Sequence, residues 1–454
     1  MKKFLFKLIS LILCISLLVS LCACSSKDDD DIEYESSKGL EFTLNEDGES
    51  YKVSGIGECT DANVIIPLLN DSLPVTAIAD GAFKNCSFVK SVKIHKGITY
   101  IGSDAFTGTD SVKTINGICY VDKWVVGNDG TASQASIRED TVGIAEGSFE
   151  ACKGLVSVVI PDSVKHICNN AFYYCEGLKT FNLPKKLVSI GENAFARCIN
   201  LEGELLIPDG TKKIGCAAFY NCKNLTSVKI SDSVTYVGFG AFAACLFLEY
   251  VDYIYYADKW AVSCERLDTA NIREGTVGIA EKAFSDDSDT VLRLTLEEVS
   301  IPDSVLYICE EAFAKDQNIK FFTVGKNNTA FKAVNGDLYS KDGSVLIKFT
   351  FDSNNFNNVK IEEGTKIISS YAFYRSNTYC PASITIPSSV EVIGPHAFGN
   401  WKMLKNAIFE DPDGWSIHDL ETGRITPIEI DTVNTSNNIR YLTVDYPDVV
   451  LLKK

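Results

Sequence analysis

Two arrangements of side chains in this sequence have the residue types for chemistry: a thiol close to an imidazole, and a column of evenly spaced thiols. His166 and Cys168 stand two apart in Lys165-His166-Ile167-Cys168, where an imidazole could in principle activate a thiol nucleophile. Cys309 fills the same slot in another copy of the local pattern with no histidine beside it, so the pair reads as packing. His95, His396 and His418 are scattered and follow no metal-ligand spacing, and no C-x-x-C pair exists to hold zinc. The G-x-G at Gly55 and Gly57 lacks the third glycine and the following helix of a phosphate cradle, and there is no G-x-S-x-G elbow. Glu297, Glu298, Glu310 and Glu311 read as solvated positions between core residues, and nothing selects a glycosidase pair among the carboxylates. The expectation is a protein that is not an enzyme, with no catalytic residue, no cofactor and no metal.

The thiol column is more informative. Cys86, Cys152, Cys175, Cys198, Cys222 and Cys245 each fall three residues after a phenylalanine, and the last five are separated by 23, 23, 24 and 23 residues. Stacked at equivalent positions they form an inward ladder of small, polarisable groups. Parallel side chains in such a ladder do not aim their sulfurs at one another, which favours reduced packing; in an exported chain a disulfide reading stays open.

The elements that position these residues follow from the repeat. Ala-Phe, or once Ser-Phe, ends at Phe83, Phe106, Phe149, Phe172, Phe195, Phe219, Phe242, Phe284, Phe313, Phe373 and Phe398. Around it runs Leu-x-x-Val-x-Ile-Pro-x-x-Val-x-x-Ile-Gly-x-x-Ala-Phe-x-x-Cys, clearest in LVSVVIPDSVKHICNNAFYYCEG (155–177). There Leu155, Val158 and Ile160 point inward while Ser157 and Val159 point out, the period-two signature of a strand. Pro161 ends that ladder because it has no N–H to give. A second short strand at Val164 and Ile167 precedes a tight turn or short helical piece that returns Ala171 and Phe172 to the core. One coil cannot bury its own apolar residues, whereas copies stacked about 4.8 Å apart can. The expected fold is a leucine-rich-repeat solenoid, mainly β, with parallel strands and short helical turns. It forms one stack rather than the two to four domains that 454 residues suggest.

This pattern resembles the BspA-like, or Treponema-pallidum-type, leucine-rich-repeat family of bacterial surface proteins, over residues 64–415. Cys168 and Cys309 depart from it where glycine usually follows isoleucine, and the copy ending at Phe313 lacks the cysteine. Two insertions repeat each other: GICYVDKWVVGNDGTASQASIREDTVGIAEGSF (117–149) and YIYYADKWAVSCERLDTANIREGTVGIAEKAF (253–284) share D-K-W, at Trp124 and Trp260, then I-R-E and V-G-I-A-E. They suit coils enlarged by a β-hairpin projecting from one edge, either a ligand-contact loop or a tolerated one. A different enlargement is expected at 333–349, with turn chemistry at Gly336 and Lys341-Asp342-Gly343.

The chain opens on MKKFLFKLISLILCISLLVSLCAC, a basic start and an apolar run that read as a secretory signal over 1–23. Leu21-Cys22-Ala23-Cys24 resembles a bacterial lipobox, in which Cys24 would carry the lipid; an ordinary signal peptide or a single anchor helix is the alternative. Residues 24–39, with Asp28 to Asp31, read as a flexible acidic tether, 40–80 as an N-terminal cap module, 81–415 as the repeat array and 416–454 as a C-terminal cap. A calcium site on the four aspartates lacks the alternating ligands it needs.

Formal charge is −17, and −20 once Lys2, Lys3 and Lys7 leave with the signal, which argues against nucleic acid as a partner. With 46% hydrophobic and 23% charged residues the chain can build a large core. The family resemblance implies adhesion: a monomeric surface module, anchored to the membrane by lipid on Cys24, that binds a protein or glycan. The candidate binding face is the outward strand positions Ser91, Lys93, Ser157, Val159, Thr180, Asn182, Ser227, Lys229, Glu298 and Ser300, with Tyr173, Tyr174 and Tyr220 between phenylalanine and cysteine. The competing expectations are a wall-associated enzyme using the repeats as a substrate platform, or a passive envelope component.

Overall fold

The computed structural model describes residues 35–45, 47–265, 268–285, 296–316, 318–350, 359, 361–374, 381–399, 401, 403–419, 425–443 and 449–453. The signal, Cys24 and the aspartate run lie outside the described residues. The described chain divides into two compact units, one ending at Glu249 and the other beginning at Tyr250. Each is a β-solenoid, and each is considered by itself.

In the first unit every coil contributes two short strands to two parallel ladders. One ladder stacks Gly143–Ile144, His166–Ile167, Ser189–Ile190, Lys213–Ile214 and Tyr236–Val237 in strict register. The other stacks Gln134–Ser136, Ser157–Val159 and Thr180–Phe181, and farther along Gly203–Ile207 with Leu225–Ile230. Val158 and Ile160 are buried and Val159 is exposed, as the alternation requires. The second strand is His166–Ile167; Val164 is buried just before it. Pro161 does more than end a strand: its carbonyl accepts the Val164 N–H, closing a tight turn that recurs at Pro184 with Leu187 and Pro208 with Thr211.

The Ala-Phe segment is held between coils as firmly as the strands. The N–H of Phe149, Phe172, Phe195 and Phe219 donates to the alanine carbonyl of the next coil at 2.7–2.8 Å. Their rings stack nearly parallel, with centroids 4.9 Å apart for Phe149–Phe172, 5.0 Å for Phe172–Phe195 and 5.3 Å for Phe195–Phe219. These turns do not propagate as helix. Left-handed residues flank each phenylalanine, such as Asn170 and Tyr174 around Phe172 or Asn193 and Arg197 around Phe195. A residue at positive φ cannot continue a right-handed helix. Among the described residues the helical segments are Thr435–Asn438 and Ile439–Leu442, and no helix is long and apolar enough to cross a membrane.

The insertions are not loops standing clear of an edge. Ile118–Val121 and Trp124–Asn128 form an antiparallel hairpin whose second strand then pairs in parallel with Gly143–Ile144, so it becomes a rung of the ladder. In the second unit Ile254–Ala257 and Trp260–Cys264 do the same onto Gly278–Ile279. The enlargement around Gly336 follows this plan too: Asp337–Ser340 pairs antiparallel with Val345–Lys348, which pairs in parallel with Ile367–Ile368. The reason is burial: Ile118, Tyr120, Val121, Trp124 and Val125 are all core residues.

The shared residues of the two long insertions explain themselves in contacts. Trp124 lies flat over Gly143 and parallel to His166, and Trp260 over Gly278 and parallel to Tyr307. Arg138 sits on the Tyr120 ring and donates to the Asp122 carbonyl at 2.6 Å; Arg273 sits on Tyr256 and donates to Asp258 at 2.9 Å. The second unit ends with Val449–Lys453 running antiparallel to both Val392–Ile393 and Trp415–Asp419, so the last parallel rung is covered by a strand of opposite direction.

A β-carbon on Gly143 would fall 2.4 Å from the Trp124 ring, and one on Gly278 2.5 Å from Trp260. Gly143→Ala and Gly278→Ala should therefore each destabilise their unit by about 2 kcal/mol or more, because a buried indole has nowhere to move. Urea titration followed by tryptophan fluorescence checks this; an unchanged midpoint would show that the indole does not seal the rung.

Candidate functional site

The outward strand positions form rows. Ser157 and Thr180 align with Gln134, Ser227 with Glu204, Lys229 with Leu206, and Ser91 and Lys93 with Asn63 and Ile65. In the second unit Glu298 aligns with Thr269 and Phe321, and Ser300 with Asn271 and Thr323. Some of these side chains are tied to their neighbours: Ser91 donates to Asn63 at 2.7 Å and Ser227 to Glu204 at 3.2 Å. Asn182 serves the backbone. Its amide donates to the Ile160 carbonyl at 2.9 Å, extending the ladder one step beyond the point where the strand Thr180–Phe181 stops. Exposed apolar side chains punctuate the rows at Val159 and Leu206, with Ile408 in the second unit.

The tyrosines between phenylalanine and cysteine are partly engaged. Tyr174 is half-buried, with the Lys153 ammonium 4.7 Å and the Arg197 guanidinium 5.5 Å from its ring centre, and Tyr173 packs beside it. Tyr220 is exposed.

A more open aromatic cluster lies elsewhere. In the second unit Tyr250 and Tyr255 both donate to Glu265, each at 2.6 Å, and the Tyr253 ring meets Tyr250 edge to face. The Tyr250 and Tyr253 side chains are about half exposed. This cluster escaped the reading of single motifs because its members fall in the part of the insertion that the two copies do not share. Aligning the copies and asking where they differ is the signal that finds it.

The thiol column is a hydrogen-bonded ladder. Cys175, Cys198, Cys222 and Cys245 are buried, and each S–H donates to the carbonyl of the motif phenylalanine one coil back: Phe149, Phe172, Phe195 and Phe219, at 2.9–3.2 Å. All six column cysteines carry free thiols, with Cys86 and Cys152 less buried than the rest. Burial pushes Cys175 and Cys245 up to about 12 and Cys198 and Cys222 upward as well, so these thiols stay protonated donors and poor nucleophiles. The copy ending at Phe313 puts Asp316 in the cysteine slot, buried, near the buried ammonium of Lys348.

His166 and Cys168 do not assemble as a nucleophile pair. The His166 ring meets the Ser189 hydroxyl through Nδ1 at 3.0 Å and stacks on Trp124, while Cys168 is buried in the glycine slot. Burial, then Lys165, lowers His166 to about 4. Among the described residues no group of three His, Cys, Asp or Glu side chains is placed to hold a metal ion.

The family profile described as "BspA type Leucine rich repeat region" matches six times, over residues 57–128, 76–202, 128–246, 203–320, 293–334 and 344–444. The chain belongs to the BspA-type leucine-rich-repeat family. No curated protein matches it. Among solved structures, a leucine-rich-repeat protein of T. pallidum shares 21% identity, covering 47% of this chain and 79% of its own, with a TM-score of 0.24. A leucine-rich cell surface protein of Faecalibacterium prausnitzii shares 20% over 85% of this chain and 97% of its own, with a TM-score of 0.25. A leucine-rich-repeat protein of Bacteroides ovatus shares 22% over 83% and 88%, with a TM-score of 0.24. In BspA-type terms, the strands, prolines, Ala-Phe turns and cysteines described above are one repeat unit seen coil by coil.

Two consequences are measurable. Native protein should leave Cys175, Cys198, Cys222 and Cys245 unlabelled by a thiol reagent and expose them on denaturation, and Cys198→Ala should cost about 2 kcal/mol for the cavity and the lost thiol hydrogen bond, although the Phe172 carbonyl keeps the Cys175 N–H. Near-zero thiol in denaturant would replace the ladder with disulfides. For His166 the folded state favours the neutral ring, so its contribution is complete above about pH 6.5 and is lost as pH falls toward 4, about 3 kcal/mol in all. His166→Gln should remove that part of the acid sensitivity when urea midpoints at pH 7 and 4.5 are compared.

Proposed function

We propose that this BspA-type chain is a bacterial cell-surface lipoprotein whose solenoid binds a protein or glycan partner in adhesion, without catalysis of its own. The observation that supports this most directly is, in each unit by itself, the registered rows of polar side chains on outward strand positions: Gln134, Ser157 and Thr180 in the first, and Thr269 with Glu298 and Asn271 with Ser300 in the second. Such rows keep a broad, shallow face open to a partner, and a fixed backbone register holds their spacing. The chemistry of the thiol column and of His166 points the same way, since burial keeps the deeply buried column thiols protonated and His166 neutral. Location rests on the family and on the leader: Cys24 of Leu21-Cys22-Ala23-Cys24 is the proposed lipid site, with 24–39 as tether.

Cys24→Ser should move the protein from the membrane fraction to the medium or soluble fraction; unchanged fractionation would refute the anchor. For the binding face, the mature protein is offered matrix proteins, glycans and cell-wall fragments. Saturable binding that falls at least tenfold in Ser157→Arg/Thr180→Arg supports the reading. Turnover of wall fragments would replace it with the enzymatic alternative.

A further inference from the structure

The two long insertions are an experiment within one chain. Counted from their tryptophans, the largest buried side chains agree, Ile118 with Ile254, Tyr120 with Tyr256 and Trp124 with Trp260, while the buried Val121 and Val125 become the smaller, still apolar Ala257 and Ala261. At the opposite end of the hairpin they diverge, and Thr114, Gly117, Cys119 and Asp129 are replaced by Tyr250, Tyr253, Tyr255 and Glu265. In the first copy the acid is spent on its own turn, with Asp129 accepting the Thr131 N–H at 3.0 Å and its hydroxyl at 2.6 Å. In the second copy Glu265 is turned instead to the two phenols, while its backbone N–H donates to the Tyr253 carbonyl and fixes the end of the hairpin. Tyr253 stands at φ +65°, where the first copy has Gly117 at +81°. A tyrosine at a position made for glycine is a local cost with no return in core packing, because the ring is more than half exposed.

We propose that this tyrosine face docks an arginine-bearing segment of a protein partner. Both phenol protons are committed to Glu265, so what Tyr250, Tyr255 and Glu265 offer outward is lone pairs and negative charge, with Asp252 in the adjoining turn adding to it. A guanidinium answers each feature: it is cationic, carries only donors, and is flat enough to lie on an aromatic face. The Tyr250 and Tyr255 rings are 4.7 Å apart and tilted by 38°, too close to admit an ammonium between them, so the ligand lies on the outer faces and flatness matters. The hydrogen bonds from the phenols also keep Glu265 below the usual carboxylate range, so its charge persists at neutral pH. The overall charge of −17 draws a basic partner from a distance. This inference rests on the reading of the chain as a binding module and names the chemistry of what it binds.

The test is fluorescence anisotropy with the full chain and a labelled Gly-Arg-Gly-Arg-Gly peptide, beside its lysine and citrulline counterparts and a neutral cello-oligosaccharide competitor. The arginine peptide should bind saturably, the lysine peptide several-fold more weakly and the citrulline peptide at least ~tenfold more weakly. Tyr250→Thr/Tyr253→Gly, which restores the residues of the first copy, should weaken arginine binding by about tenfold while leaving the unfolding temperature equal or higher. Glu265→Gln should weaken it several-fold. Equal affinity for citrulline, unchanged binding by the variants, or competition by the oligosaccharide would overturn the proposal. If partner capture still depends on Ser157 and Thr180 but ignores the tyrosine variants, this inference falls and the binding module stands. If the arginine peptide binds as expected and partner capture depends on the tyrosines but not on Ser157 and Thr180, the tyrosine face stands and the strand face falls.

Discussion

Everything in each unit depends on one constraint: a coil cannot satisfy its own backbone, so it must hand its donors and acceptors to the coil beside it. The strands do this in the ordinary way of parallel ladders. The turns do it as well, and that is less ordinary. The Phe172 N–H reaches the Ala194 carbonyl in the next coil, the Tyr174 N–H reaches Ala196, and the Phe172 carbonyl receives the Cys198 thiol, so three groups of one turn are committed to the neighbouring turn. With backbone contacts on every side of the coil, the spacing between coils has little freedom, and the rings of Phe149, Phe172, Phe195 and Phe219 are carried into stacking distance rather than choosing it. Edge-to-face geometry would suit isolated benzene rings equally well; here the ladder decides.

That constraint explains which residue types recur. The alanine before phenylalanine is small because the backbone of the next coil passes close to it. The cysteine three residues later is the side chain that is small, apolar enough for the interior and still able to donate to a carbonyl. Serine would satisfy the carbonyl but carry a more strongly hydrated hydroxyl into the core. Where the slot holds Asp316, the interior must also accommodate Lys348, and the burden of one buried charge brings a second. The column is therefore a structural device, and its pKa values rise because burial disfavours the thiolate.

Much of this was legible in the sequence because a period of about 23 residues is visible without knowing what the turns look like. The inward alternation at Val158 and Ile160, the role of proline and the burial of Leu155 and Phe172 all follow from the repeat's periodicity and from the missing proline N–H. What was not legible depends on contacts across coils. No rule of local propensity says that Tyr174 or Arg197 adopts positive φ; the neighbouring turn imposes it, and it is what prevents the Ala-Phe segment from becoming helix. The hairpins were visible as repeats, yet their burial was not, because Trp124 finds its space over Gly143 nineteen residues on. Asn182 is exposed, as its outward position implies, but its second task as a substitute for backbone depends on the Ile160 carbonyl of the preceding coil.

The duplicated insertion carries the argument further than the single coils do. In a repeat protein, agreement between copies measures what the stack demands, and Tyr120 with Arg138, or Tyr256 with Arg273, is agreement of that kind. Divergence between copies is then informative only where the stack makes no demand, on exposed positions whose neighbours are solvent. Most such divergence is drift among small polar side chains. A change from threonine, glycine and cysteine to three tyrosines is different, because it adds large apolar surface to water and places one ring on a backbone conformation that favours glycine. Folding gains nothing from that surface, and the hydrophobic effect works against leaving it exposed. A partner that covers it removes the contradiction, and the acceptors and negative charge around Glu265 say what kind of surface that partner must bring.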